Sequence, residues 1–211
     1  MRLMWLVILF TLNVSFARSQ PAFVDTIRTS LNEKPRFVLG LNNRYALVSG
    51  VPLRTNGIQA GMDFNDKVRI LFGANWMPNA YVERDISNGI PPDTITIQKR
   101  LSFFSLTGSY SLRMSEKWRF DFPILIGMGV DDRTTTHSTR IKPTTESRFI
   151  VPFEFGASAV YSINSWFGVK AGLGNRLTFG RSFSTNSGPY YALGLTVFAK
   201  PFVDWAKKIW Q

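Results

Sequence analysis

Cysteine is absent from this 211-residue chain, and histidine occurs once. The first absence excludes a disulfide framework, thiolate-ligated zinc and an iron–sulfur cluster, and the second excludes a multi-histidine metal centre. Negative charge is also scarce. Asp and Glu total 14 against 25 Lys and Arg, giving a formal net charge of +11, and charged residues make up 18% of the chain; ordinary soluble domains hold about 25%. No segment reaches 18 consecutive apolar residues, so no helix is expected to cross a bilayer. Nucleotide loops are missing too: Gly172-Leu173-Gly174 does not complete a dinucleotide fingerprint, and there is no Walker-type or EF-hand loop. No cofactor is expected. What is present is 45% hydrophobic residues, 18 Phe and 16 Gly in a length suited to one domain.

The first residues read as an address. Met1-Arg2 is positively charged, Leu3 to Phe10 is continuously apolar, and Ser15-Phe16-Ala17 places small residues for cleavage after Ala17. That is a secretory signal pattern over residues 1–17, too short for the ~20 residues a membrane-spanning helix needs. Without Arg2 the mature charge is +10 (11 − 1). Basic charge in a cytoplasmic protein would suggest nucleic acid. Export argues against that partner.

The remainder alternates with period two. Trp118, Phe120, Phe122, Ile124, Ile126, Met128 and Val130 share one face, with Arg119, Asp121, Pro123, Leu125, Gly127 and Gly129 opposite. Residues 149–161 repeat the pattern, with Phe153 and Phe155 on the apolar face and Glu154 opposite. So do Ile58–Phe64, Val68–Trp76, Phe104–Leu112, Phe167–Leu173 and Tyr191–Val197, with Phe37–Leu41 a shorter first member. The spacing predicts eight strands. Tight turns at Asn65–Lys67, Met114–Lys117 and Ile163–Ser165 alternate with long connections at Tyr45–Asn56, Pro78–Ile97, Asp131–Ser147 and Gly180–Gly188.

A soluble eight-stranded barrel would share this period with its apolar face inward. Strands of 11 to 13 residues, a Gly-, Ser- and charge-rich second face, and aromatics near strand ends favour the inverse arrangement, apolar outward. The fold expected is all-β, an eight-stranded antiparallel up-and-down transmembrane β-barrel over residues 35–200. Trp76 and Phe149 would mark one aromatic girdle, and Tyr110, Trp118, Tyr161 and Phe167 the other. Pro123 and Pro152 fall mid-strand facing the lumen, where a bulge or an unpaired position must accommodate them. Short helical segments are expected at both ends. Phe23, Ile27 and Leu31 recur at helical spacing within a periplasmic segment over 18–34, and Phe202, Trp205 and Ile209 form a stripe beside Lys207 and Lys208 within a periplasmic amphipathic segment over 201–211.

With KPRFVLGLNNRYALVSG (34–50), NGIQAGMDFNDKVRILFGANW (56–76) and GLTVFAK (194–200), the chain resembles the outer membrane protein beta-barrel domain family of Bacteroidetes-type bacteria. It is more distantly similar to the OmpA/OmpX-like eight-stranded barrels. The resemblance implies a cell-envelope protein of a Gram-negative bacterium, in the outer membrane, in contact with its lipids and lipopolysaccharide. It also implies insertion by the barrel-assembly machinery, and the family includes components attached to protein secretion. A structural or interaction role is the first expectation. A narrow channel, or an accessory barrel of a secretion apparatus with a periplasmic partner, is the second.

A lipid A-modifying rim enzyme is the third, and only His137 speaks for it. That residue lies in a Thr-rich stretch with Asp131 and Asp132 upstream, and nothing there sets the nucleophile–base–carboxylate geometry a triad needs. No enzymatic activity is expected. In the lumen the register places Asp63, Arg69, Arg119, Asp121, Glu154, Lys170 and Arg176, expected as an ion-pair network because buried charge must be paired. Arg54, Arg84, Arg133, Arg140, Lys142, Arg148 and Arg181 are expected as loop cations able to meet an external polyanion.

Overall fold

The computed structural model describes residues 23–48, 51–87, 93–138, 142–181 and 187–198. The signal sequence expected over 1–17, the tail expected over 201–211 and the loop cation Arg140 lie outside the described residues. Among the described residues nine strands form one sheet: β1 (Arg36–Val48), β2 (Val51–Phe64), β3 (Val68–Trp76), β4 (Tyr81–Ser87), β5 (Asp93–Arg113), β6 (Trp118–His137), β7 (Thr144–Ser162), β8 (Phe167–Gly180) and β9 (Gly188–Phe198). The order is β3-β2-β1-β9-β8-β7-β6-β5-β4, every pairing antiparallel, and β3 pairs with β5 as well. That pairing, from Val68↔Tyr110 to Trp76↔Ser102, closes eight strands into a ring. The fold is an eight-stranded up-and-down transmembrane barrel. The ninth strand, β4, stands outside the ring and, among the described residues, pairs only with the outer end of β5, from Tyr81↔Lys99 to Ser87↔Asp93.

Each tight turn has a local cause. Asn65 and Asp66 both take positive φ (53° and 56°), and Lys67 N–H donates to the Phe64 carbonyl at 3.1 Å. This is the type I′ geometry whose twist matches a hairpin, and Asn and Asp tolerate it better than other side chains. At the β7–β8 turn, Asn164 Oδ1 accepts from the N–H groups of Trp166 (3.0 Å) and Phe167 (2.8 Å). At β5–β6, Met114 N–H donates to the Trp118 carbonyl at 3.0 Å.

Three connections expected as long loops are largely strand. Tyr45–Asn56 contains the end of β1 and the start of β2, which pair down to Val48↔Val51. Pro78–Ile97 contains β4 and the first residues of β5, and Asp131–Ser147 contains the end of β6 and the start of β7. The reason is that alternation reports a strand only where its two faces see different solvents. On β6 both faces are polar above the apolar band, and a run such as Thr134-Thr135-Thr136 keeps extended geometry through β-branched side chains.

The outward face is apolar over the band and polar above it. On β6, Trp118, Phe120, Phe122, Ile124, Ile126, Met128 and Val130 are all exposed, with Ile124 at 57%, and Leu125 between them is at 2%. At ~3.3 Å per residue and a tilt near 40°, those 13 positions span roughly 30 Å, the thickness of a bilayer core. Beyond Val130 the outward positions become Asp132, Thr134 and Thr136. Pro123 and Pro152 are accommodated without a bulge. The β6–β7 ladder omits Cα partners at 122–123 with 156–157, and at 127–128 with 151–152. Register is unchanged on both sides, at Asp121↔Ser158, Ile124↔Phe155, Ile126↔Phe153 and Gly129↔Ile150.

The helix expected near the start is present at residues 23–31. Ser30 is buried, and the Phe23 ring meets Tyr110 of β5 edge-on at 4.9 Å.

Candidate functional site

The inward positions of the strands build the lumen. Carboxylates and guanidinium groups meet as direct cross-strand partners. Asp63 lies opposite Arg69 across the β2–β3 turn and opposite Arg36 of β1, and Glu154 lies opposite Arg176 across the β7–β8 turn. Asp63, Arg69, Arg119 and Asp121 form one cluster. Arg69 Nη2 lies 2.7 Å from Asp63 Oδ2, its Nη1 lies 3.5 Å from Asp121 Oδ2, and Arg119 Nε lies 2.9 Å from Asp121 Oδ1. Ser111 Oγ donates to Asp121 Oδ1 at 2.7 Å. The Arg119 guanidinium also sits over the Phe198 ring, 5.5 Å from its centroid.

A second cluster centres on Glu154. Arg176 donates to Oε1 through Nε at 2.6 Å, and Arg44 Nε lies 3.2 Å from Oε2. Thr55 Oγ1 accepts from Arg176 at 3.4 Å, and Asn75 Oδ1 accepts from Arg44 at 3.2 Å. All of these side chains are buried. With both carboxylate oxygens engaged, the ion pairs tie together β1, β7 and β8, and the Thr55 and Asn75 contacts add β2 and β3.

Lys170 is different. It faces the lumen as expected and is attracted to Asp121, but it makes no direct ion pair or hydrogen bond with any described residue. Arg44 is the member that sequence reasoning missed, because it falls in the stretch read as weak strand and loop.

Toward the outer end the lumen becomes apolar. Ala46, Leu53, Tyr190 and Ala192 form one buried cluster, and Leu101, Phe103, Leu125 and Ile150 form another; Met77 packs against both. Phe103 occupies the space left by Gly127 and Gly129. A Cβ on Gly129 would lie 2.1 Å from the Ser102 carbonyl oxygen and 2.4 Å from Phe103 Cβ.

The cations expected in loops are mostly on strands. Arg54 lies on β2, exposed, with its guanidinium 5.9 Å from the centroid of the Tyr45 ring. Arg84 lies on β4, Arg133 on β6 and Arg148 on β7, where Arg148 pairs with Glu146 at 3.7 Å. Lys142 and Arg181 are exposed outside the strands. The strands carry these charges because they continue past the bilayer band.

Trp76 and Phe149 lie exposed near the outer ends of their strands. Tyr110, Trp118, Tyr161 and Phe167 lie near the tight-turn ends, with Trp118 and Tyr161 in ring contact at 5.0 Å. Tyr45 and Tyr191, unanticipated, stack at 4.8 Å on the outer face. His137 ends β6, where the strand rise alone sets Asp132 roughly 16 Å away along the chain. Neither upstream aspartate can orient its imidazole.

No family model matches the chain, and no curated protein matches it. Solved structures do. The N-terminal β-barrel domain of Pseudomonas aeruginosa OprF is similar at 12% identity and a TM-score of 0.44, over 78% of this chain and 98% of that one. Ail, the attachment invasion locus protein of Yersinia pestis, solved with the heparin analogue sucrose octasulfate, is similar at 15% identity and a TM-score of 0.47, over 77% and 96%. Neisserial surface protein A is similar at 10% identity and a TM-score of 0.48, over 78% and 96%.

Proposed function

We propose that the chain is an outer-membrane barrel with a filled, non-conducting lumen, working through the polar sheet it raises above the bilayer. The observation that carries this is the extension of β5, β6 and β7 to 21, 20 and 19 residues. Spanning needs only about 9–11, so roughly half of each strand is invested in structure outside the membrane. That sheet, with β4 at its side, presents Arg100 as an exposed cation, and Lys142 and Arg181 stand exposed just beyond the ends of β7 and β8. Its chemistry suits the phosphate groups of lipopolysaccharide, which cations meet by charge-assisted hydrogen bonds. Paired charges and the Met77 layer in the lumen favour this role over a narrow channel. In this reading the signal sequence delivers the chain, and the even strand count leaves both termini on the periplasmic side.

Epitope tags test the topology. Tags at Ser87 or His137 are expected to be reached by antibody on intact cells, and a tag at Asn164 only after the outer membrane is opened. Retention of the purified barrel on immobilised lipopolysaccharide should fall with added salt and fall further in Lys142→Gln/Arg181→Gln. Reversed tag accessibility would overturn the topology, and retention indifferent to those substitutions would overturn the polyanion role.

A further inference from the structure

Within the bilayer band, five cationic side chains line the described lumen (Arg44, Arg69, Arg119, Lys170 and Arg176) against three carboxylates (Asp63, Asp121 and Glu154), an excess of +2 (5 − 3). The four arginines share the three carboxylates among them. Lys170 has no carboxylate in direct contact; Asp121, which attracts it, is already engaged by Arg69 and Arg119. Burying an ammonium away from bulk water is costly unless something pairs with it.

What Lys170 faces is a partly open cavity of about 40 Å³, bordered also by Arg44, Arg69, Asn42, Ser109 and Tyr190. A single water needs roughly 10–15 Å³ measured in this way. There is room for a few waters, or for one monatomic anion with a water beside it. Glu154 also borders the space, but both of its oxygens are turned to Arg176 and Arg44. The wall therefore offers an ammonium, two guanidinium edges, a hydroxyl, a phenol and a side-chain amide, which together suit a negative guest.

We propose that this cavity binds a small monatomic anion, of the chloride class, seated against the Lys170 ammonium. Phosphate and sulfate are too large for the space without displacing the Glu154 pair. The proposal rests on the filled-lumen reading, and it supplies the counter-charge that the protein's own carboxylates leave missing.

Bromide is the probe. Crystals of the refolded barrel soaked in sodium bromide are expected to show one anomalous peak within hydrogen-bonding reach of Lys170 Nζ, absent in Lys170→Met. Thermal unfolding gives the second arm. Wild type should melt a few degrees higher in sodium bromide than in sodium gluconate at equal ionic strength, rising with the logarithm of bromide concentration. Lys170→Met should show no such difference, and in gluconate it should melt above wild type, having lost one of the two excess lumenal charges. Lys170→Gln serves in its place if Lys170→Met does not fold. A cavity holding only water, or equal bromide responses in wild type and variant, would overturn the proposal. A bromide peak in a barrel that conducts steadily in planar bilayers would uphold the site while refuting the closed lumen, so the two readings fail separately.

Discussion

In lipid vesicles, Glu154→Ala is expected to lower the unfolding free energy of the barrel by about 3–5 kcal/mol, the usual cost of removing one partner from a buried ion pair. Glu154 is 1% exposed and holds two guanidinium groups, Arg176 and Arg44, contributed by different strands. Deleting it leaves both cations facing each other with no carboxylate between them. The loss is therefore mostly the penalty of stranded charge and not the intrinsic strength of the pair. This has a consequence a simple packing role would not share. Glu154→Ala/Arg176→Met should be less destabilised than Glu154→Ala alone, because one of the stranded charges has gone. Urea unfolding of the two variants checks the sign, and a double variant weaker than the single one would contradict it.

Ile124→Arg is expected to cost about 2–4 kcal/mol, and Thr136→Arg on the same face of the same strand no more than about 1 kcal/mol. Ile124 lies at the middle of the outward apolar run from Trp118 to Val130, and Thr136 lies beyond its end. The penalty thus depends on depth along one strand, with the introduced residue and the face held constant. Equal penalties at the two sites, measured by unfolding in liposomes, would contradict the placement of the bilayer band.

The parts of the fold legible in the sequence are those where one face meets lipid and the other meets the lumen. There the period-two pattern separates Phe122 and Ile124 from Asp121 and Leu125, and the eight ring strands follow. It fades where that contrast fades. On β1 and β2 the outward positions Asn43, Arg54 and Asn56 are polar, so the outer halves of these strands read as a loop and Arg44 passed unnoticed with them. On β4, charged residues interrupt the alternation at Glu83, Arg84 and Asp85. Two of the ion pairs were in principle readable. Asp63 and Arg69 flank the Asn65–Lys67 turn symmetrically, as Glu154 and Arg176 flank the β7–β8 turn, so turn length alone sets each pair opposite. The contact from Arg69 to Asp121 spans the non-adjacent strands β3 and β6 and depends on the curvature of the closed ring. Single-strand patterns carry no information about that. Nor does alternation distinguish a lumenal cation in direct contact with a carboxylate from one without such a contact, as Lys170 shows.

Single-channel recording in planar bilayers tests the closed lumen most directly. The purified wild-type barrel is expected to be silent. Glu154→Ala/Met77→Ala, which removes a central carboxylate and the side chain joining the two apolar clusters, is expected to pass ions. Steady conductance from the wild type, abolished by neutralising Arg119 and Lys170, would contradict the account and make the barrel an anion path.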